Sequence, residues 1–223
     1  MTLDPSKTRR VDAPAALRTA RLVCERFTME HVDELALLDQ DETVQRWLFG
    51  KTYTREETEA RARRRVAYWE DHGAGDYIVR TPEGRFVGFA GFFPSSRPGA
   101  IAIGYVLRPN CWGCGYGTEL AGILTITAVG FGVPEIVATV LASNGASRRI
   151  LEKTGFAEIG PADPDDQETL VYRYAGSTGG ESCTSPRGAV AFSSGAAGNT
   201  GTARAGTSAG AASSRGALGG ASG

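Results

Sequence analysis

Three features of the sequence predict a single mixed α/β (α+β) domain. Runs of strand length and stretches of helical period follow in the order strand, helices, three antiparallel strands, helix, strand, helix, two strands, unlike the regular alternation of a doubly wound sheet. Residues 101–119 carry a β-branched run into a helical pattern through a loop holding Gly113, Gly115 and Gly117. The patterning stops at Tyr174, where Gly, Ala, Ser and Thr take over. The 223 residues thus divide into an N-terminal extension, 1–18, expected to be mobile, a patterned domain, 19–174, and a low-complexity tail, 175–223.

Each element has a local reason. Residues 21–27 alternate well enough for a first strand. Thr28 can cap a helix that starts at Met29 and sets Val32, Leu35, Ala36 and Leu38 on one stripe. A short helix is expected over 42–48. Thr54 and Glu57 form a capping box, and the helix they open carries Ala62, Val66 and Trp69 at i, i+4 and i+7. That helix also holds Arg61, Arg63, Arg64 and Arg65, which read as a solvated face or, alternatively, a docking patch for an acidic partner. Residues 77–80 and 86–93 form a hairpin around Pro82, Glu83 and Gly84. Residues 94–99 turn the chain into a strand over 100–107. Beyond the glycine loop a helix aligns Leu120, Ile123, Leu124, Thr127 and Phe131, and Gly132 and Pro134 stop it. A buried strand over 135–141, a helix over 145–153 ended by Gly155, and strands over 156–159 and 169–174 complete the domain.

Composition narrows the function classes. A net charge of −1 gives no global field for nucleic acid or an anionic membrane. No apolar run approaches the roughly 20 residues of a membrane-spanning helix. The basic N-terminus lacks the apolar stretch of a secretory signal, so the chain reads as cytoplasmic. Cys24, Cys111, Cys114 and Cys183 are too few for a disulfide framework. Cys111 and Cys114 spell C-x-x-C, a redox or half-zinc pattern, but no further ligands stand at matching spacing and no metal is expected. In the tail, Val190, Phe192 and Leu218 are the only large aliphatic or aromatic residues. Such a segment cannot offset its ordering entropy and is expected to be disordered.

The glycine loop carries the chemistry. A glycine-rich turn from strand to helix lets backbone N–H groups approach an anion, and the helix N-terminus adds partial positive charge. That is a cradle for a pyrophosphate, and three owners compete for it. A dinucleotide site needs G-x-G-x-x-G, whereas Gly113, Gly115 and Gly117 are one residue short, and no acidic residue follows about twenty residues on. A nucleotide P-loop needs Lys then Ser or Thr, whereas Gly117 is followed by Thr118 and Glu119. The third owner is coenzyme A.

Asn110-Cys-Trp-Gly113-Cys-Gly115 resembles the Gln/Arg-x-x-Gly-x-Gly/Ala loop of the GNAT N-acetyltransferase superfamily, with Asn110 in place of the Gln or Arg. Further pieces resemble its RimJ/RimL-like branch, in order: Thr19-Ala20-Arg21-Leu22, Arg46-Trp47-Leu48, Trp69-x-x-His72-Gly73, Val87-Gly88-Phe89-Ala90-Gly91, and Trp112 to Glu119. The last is Asn144-x-Ala146-Ser147-Arg148 running on to Gly155-Phe156. The resemblance covers about Ala20 to Tyr174. It implies the GNAT fold, a mixed twisted sheet of about seven strands with flanking helices and a splayed V between strands 4 and 5 that holds acetyl-CoA. It implies that Val106, Leu107 and Arg108 hold the pantetheine by β-like hydrogen bonds. The amides of Trp112, Gly113, Cys114, Gly115, Tyr116, Gly117 and Thr118 would hold the pyrophosphate. Asn144 would reach a pantetheine amide, and Ser147 resembles the hydroxyl that faces the leaving thiolate. Ser147 is also an ordinary residue for the first turn of a helix.

The implied reaction is acetyl transfer from acetyl-CoA to a primary amine on a small molecule or a protein N-terminus, by a monomer or homodimer. One departure stands out. Many relatives carry an acidic base two residues before the Gly-Tyr of the fourth strand, and this sequence has Ala102 there. Glu25, Glu42, His72 and Tyr105 are substitutes by residue type only. A non-catalytic acyl-CoA-binding or sensing module, or an interaction scaffold using the arginine run, are the alternatives. Whichever holds, the tail is expected to be dispensable. A chain ending at Ala175 should unfold within about 1 kcal/mol of the full chain, the size of a single packing contact, and denaturant unfolding of the two checks this.

Overall fold

The computed structural model describes residues 10–177 apart from Phe49 and Pro164. The expectations for residues 1–9 and for the tail from residue 178 on lie outside the described residues. The strands are β1 (Ala16–Arg18), β2 (Val23–Arg26), β3 (Asp76–Arg80), β4 (Phe86–Pro94), β5 (Ala100–Leu107), β6 (Glu135–Leu141), β7 (Phe156–Asp163) and β8 (Asp166–Tyr174). The helices are α1 (Val32–Asp39), α2 (Glu42–Gln45), α3 (Arg55–His72), α4 (Tyr116–Gly130) and α5 (Gly145–Lys153). One eight-stranded sheet runs in the order β1-β2-β3-β4-β5-β6-β8-β7. Only β5 and β6 are parallel; all other neighbours are antiparallel.

Alternation along the strands builds the layers. Tyr77, Val79, Ile103, Tyr105 and Leu107 point to one face, where Leu120 and Leu124 of α4 and Ile150 and Leu151 of α5 pack on them. Ile78, Phe86 and Phe89 point to the other, against Leu35 and Leu38 of α1 and Ala62 of α3. Burying each of these large side chains contributes roughly 1.5–3 kcal/mol. Both capping motifs form. Thr54 accepts from Glu57 N, and the Glu57 carboxylate accepts from Thr54 N. At Thr28 the reciprocal partner is His31 Nδ1.

The structure corrects the sequence reading in four places. Residues 16–18 of the expected extension belong to the domain: β1 pairs with β2, and Leu17 is buried in the main cluster. Three residues with one large apolar side chain are too few to show a period. This extra strand makes the count eight rather than seven, so the expected fourth and fifth strands are β5 and β6. The helix expected over 42–48 is regular only to Gln45. The inner face of α4 is Leu120, Ala121, Leu124, Thr125 and Ala128, with Thr127 turned partly outward.

No helix among the described residues is long and apolar enough to cross a membrane. β4 and β5 lie unusually close at Gly88, whose φ of 158° belongs to glycine. A Cβ there would collide with the Val106 carbonyl. Gly88→Ala should therefore cost about 1–3 kcal/mol, in the range of overpacked sites, and lower the denaturant midpoint without changing the slope.

Candidate active site

The site begins with a missing ladder. β5 pairs with β6 only through Ala100, Ile101 and Ala102, opposite Glu135, Ile136 and Val137. Beyond Ala102 the strands part, which is the expected splayed V. Arg108 N donates to Val87 O of the hairpin, 2.9 Å. Backbone groups alternate along a strand, so Ile103, Tyr105 and Leu107 turn theirs away from β4 and into the gap. Of the three expected pantetheine-binding residues, only Leu107 therefore offers its backbone. Val106 and Arg108 face β4, and the Val106 side chain lines a cavity on the α1/α3 side.

The cradle stands at the open end of the gap. Gly113 and Gly115 have φ of 73° and 85°, conformations that L side chains avoid. Gly115 is the N-cap of α4 and brings no side-chain cap. The first amides of a helix have no intrahelical acceptor, so those of Tyr116, Gly117 and Thr118 fit an anion by geometry and by dipole. Trp112 has another role than expected. Its amide closes a tight turn onto Pro109 O, 3.1 Å, and its indole Nε1 donates to Leu107 O, 2.9 Å. It braces the loop against the end of β5. Two arginines that the sequence reading missed flank the helix start. Arg21 lies 4.9 Å from the Tyr116 ring and pairs with Glu119 at 2.5 Å, and Arg85 Nη2 donates to the Tyr116 hydroxyl at 3.4 Å. Cys111 is buried and Cys114 is exposed, both as free thiols, and the described residues hold no cluster that could bind a metal.

Across the gap, Asn144 is the N-cap of α5, and its Oδ1 accepts from Ser147 N at 3.1 Å. A reach toward a ligand amide falls to Nδ2. Ser147 is wholly buried, and its side chain adjoins the Tyr105 phenol.

None of Glu25, Glu42 and His72 lines the cavity beside Tyr105 and Val106. The His72 ring stacks on Tyr68 with centroids 4.1 Å apart, and its carbonyl accepts from Val11 N. Burial pushes the Tyr105 phenol well above the ordinary value of 10, which favours its neutral form. The carboxylates that do line the cavity are Asp39 and Asp76. Asp39 accepts from Arg61 Nε at 2.9 Å and Thr58 Oγ1 at 3.1 Å. Asp76 pairs with Arg65 Nη1 at 2.7 Å. Burial raises the Asp76 carboxyl, and Arg65 opposes that rise. The arginine run of α3 is thus not one solvated face. Arg61 and Arg65, four apart, turn inward, while Arg63 and Arg64 stay exposed. This removes the continuous docking patch. These partners lie too far apart in sequence for any local pattern to join them.

A profile of the acetyltransferase (GNAT) domain family matches residues 21–157. Among solved structures, a GNAT-family acetyltransferase from Bordetella pertussis superposes with a TM-score of 0.62 at 24% identity, over 73% of this chain and 100% of that one. An acetyltransferase from Agrobacterium tumefaciens gives 0.63 at 22% identity, over 76% and 99%. RimL, a ribosomal L7/L12 alpha-N-protein acetyltransferase in complex with coenzyme A, gives 0.59 at 20% identity, over 72% and 96%.

Removing one partner of a buried pair leaves the other uncompensated. Arg65→Met should destabilise the domain by about 3–5 kcal/mol at neutral pH. The raised Asp76 carboxyl makes the folded state bind more protons, so the loss should shrink as pH falls toward the carboxylate range and grow as pH rises out of it. Denaturant unfolding across that range checks both size and sign.

Proposed function

The chain belongs to the GNAT acetyltransferase family and is an acyltransferase with acetyl-CoA as its cosubstrate; on that premise we propose that its acceptor is a primary α-amine, most simply a protein N-terminus. The observation that carries this reading is the neutral fourth-strand position, Ala102, together with the pairing to arginines of both carboxylates that line the cavity on the α1/α3 side. A lysine side chain, ordinarily near 10.4, needs a base to attack at neutral pH. An α-amine, ordinarily about 7.7–8.0, is already partly unprotonated. RimL, as its name states, acts on such an amine in a ribosomal protein. The cavity measures about 30 Å³. A water needs about 10–15 Å³ of such space, so the cavity has room for about two waters or the tip of an acceptor.

The residues would divide the work as follows. The amides opening α4 hold the pyrophosphate. Backbone groups of Tyr105 and Leu107 align the pantetheine arm in the gap and polarise the thioester carbonyl. Ser147 donates a hydrogen bond to the departing sulfur. A cytoplasmic site of action, where acetyl-CoA and new protein N-termini meet, belongs to the same reading. Ala102 also favours a second one, an acyl-CoA-binding module without turnover. Mass spectrometry of products after incubation with acetyl-CoA and cell extract decides between them: acetylated N-termini support the first, and no acetylated product supports the second.

Acetyl-CoA at a hundred times its dissociation constant should add about 2.7 kcal/mol of stability, read as a rise in melting temperature. Gly115→Glu should abolish that rise, by placing a like charge in the pyrophosphate space and a side chain at positive φ. A response to NAD in place of CoA would return the cradle to a dinucleotide.

A further inference from the structure

The cavity on the α1/α3 side holds a polar group that the reaction outlined above does not use. Gln45, the last residue of α2, lines it at 1% exposure. Its Nε2 donates to Leu38 O of α1 at 2.9 Å. A carbonyl oxygen can only accept, so the NH2 end of the amide must face Leu38 and the amide oxygen must turn away from it. Among the described residues Gln45 Oε1 has no hydrogen bond. A buried acceptor left in that state costs about 1–3 kcal/mol. Elsewhere on the wall Leu35, Phe89, Phe93 and Val106 are apolar, and Arg61 and Arg65 face Asp39 and Asp76. The Tyr105 hydroxyl, also buried and without a hydrogen bond among the described residues, borders the same space.

We propose that Gln45 is a specificity-determining residue, whose Oε1 receives an N–H of the acceptor's α-amine. The proposal rests on the α-amine reading above. Tyr105 ties the cavity to the gap. Its backbone turns into the space between β5 and β6, and its side chain borders the cavity. An amine seated in the cavity therefore adjoins the strand that aligns the thioester. An uncharged primary amine has two N–H groups and one lone pair. An acceptor that engages an N–H leaves the lone pair for the thioester carbonyl, so the contact orients the amine as well as selecting it. In the transfer the N–C bond forms, the C–S bond breaks with its electron pair on sulfur, and the proton that the amine loses ends on sulfur. Gln45 is unchanged throughout.

The test uses the full-length protein saturated with CoA, which cannot transfer an acetyl group, so binding is read without turnover. The probe is a pool of short peptides with free N-termini and every first residue, each paired with a twin in which hydrogen replaces the amine. Equilibrium dialysis with mass-spectrometric readout gives the retention of each. The wild type should hold the amine peptides about tenfold more tightly than their twins, the worth of one hydrogen bond to a charged group. Gln45→Met should bring the two close to equal while the twins bind as before. Gln45→Lys, a donor that can still bond Leu38 O, should also remove the preference, by like charge, and it serves if the methionine variant does not fold. A preference that survives both substitutions overturns the proposal and leaves the α-amine reading standing. Equal weakening of peptides and twins also overturns it, because Gln45 would then only hold α2 against α1. No amine preference in the wild type, or no retained peptide, makes the cavity a seat for water and overturns the α-amine reading and the proposal with it.

Discussion

β5 and β6 are bonded over three residue pairs and then diverge, and the remaining architecture serves that divergence. A buried strand normally satisfies its backbone through a neighbour on each side. Here the inner groups of Ile103, Tyr105 and Leu107 lose that neighbour. β6 leaves β5 while staying bonded to β8 on its other side from Val137 to Leu141. The closed end is pinned by Glu135, which receives Arg97 at 2.7 Å and 3.1 Å and Arg173 at 3.7 Å. The exposed backbone edge that results suits an extended ligand with its own amides, and a pantetheine arm is one.

The open end is shaped by what covers it. Trp112 takes the Leu107 carbonyl, and the same residue closes the turn that leads into the glycine cradle. Strand end and glycine loop are thus mechanically joined. On the opposite face, α3 is held down by the Arg61–Asp39 and Arg65–Asp76 pairs, with Tyr53 stacked 4.1 Å from the Arg61 guanidinium. Buried pairs of this kind add little net stability but are costly to break. Each one also neutralises a carboxylate, which is why a cavity with two aspartates still lacks an evident base.

Much of the fold was legible wherever its cause was local. Thr54 and Glu57 sit three apart and cap the same turn. Apolar runs over 100–107 and 135–141 marked two strands to the residue. Gly113 and Gly115 marked positive φ before a helix. The failures share an opposite character. β1 is a strand only because Leu17 finds Cys24 and the main cluster. Four arginines read as one surface because a linear run does not show which two meet Asp39 and Asp76. Tyr105 was a candidate base by residue type alone, and the linear pattern did not show how fully it is buried.

The sequence by itself therefore determined the order of elements, the helix caps, the phosphate cradle and the family resemblance, since each depends on residues within a few positions of one another. The tertiary structure alone decided which backbone groups face the gap, which arginines turn inward, and that Tyr105 and Ser147 are both buried. Those properties depend on how far two strands diverge and which side chains then meet across the space. That divergence is set by pairings between distant segments, and no local spacing in the chain encodes it.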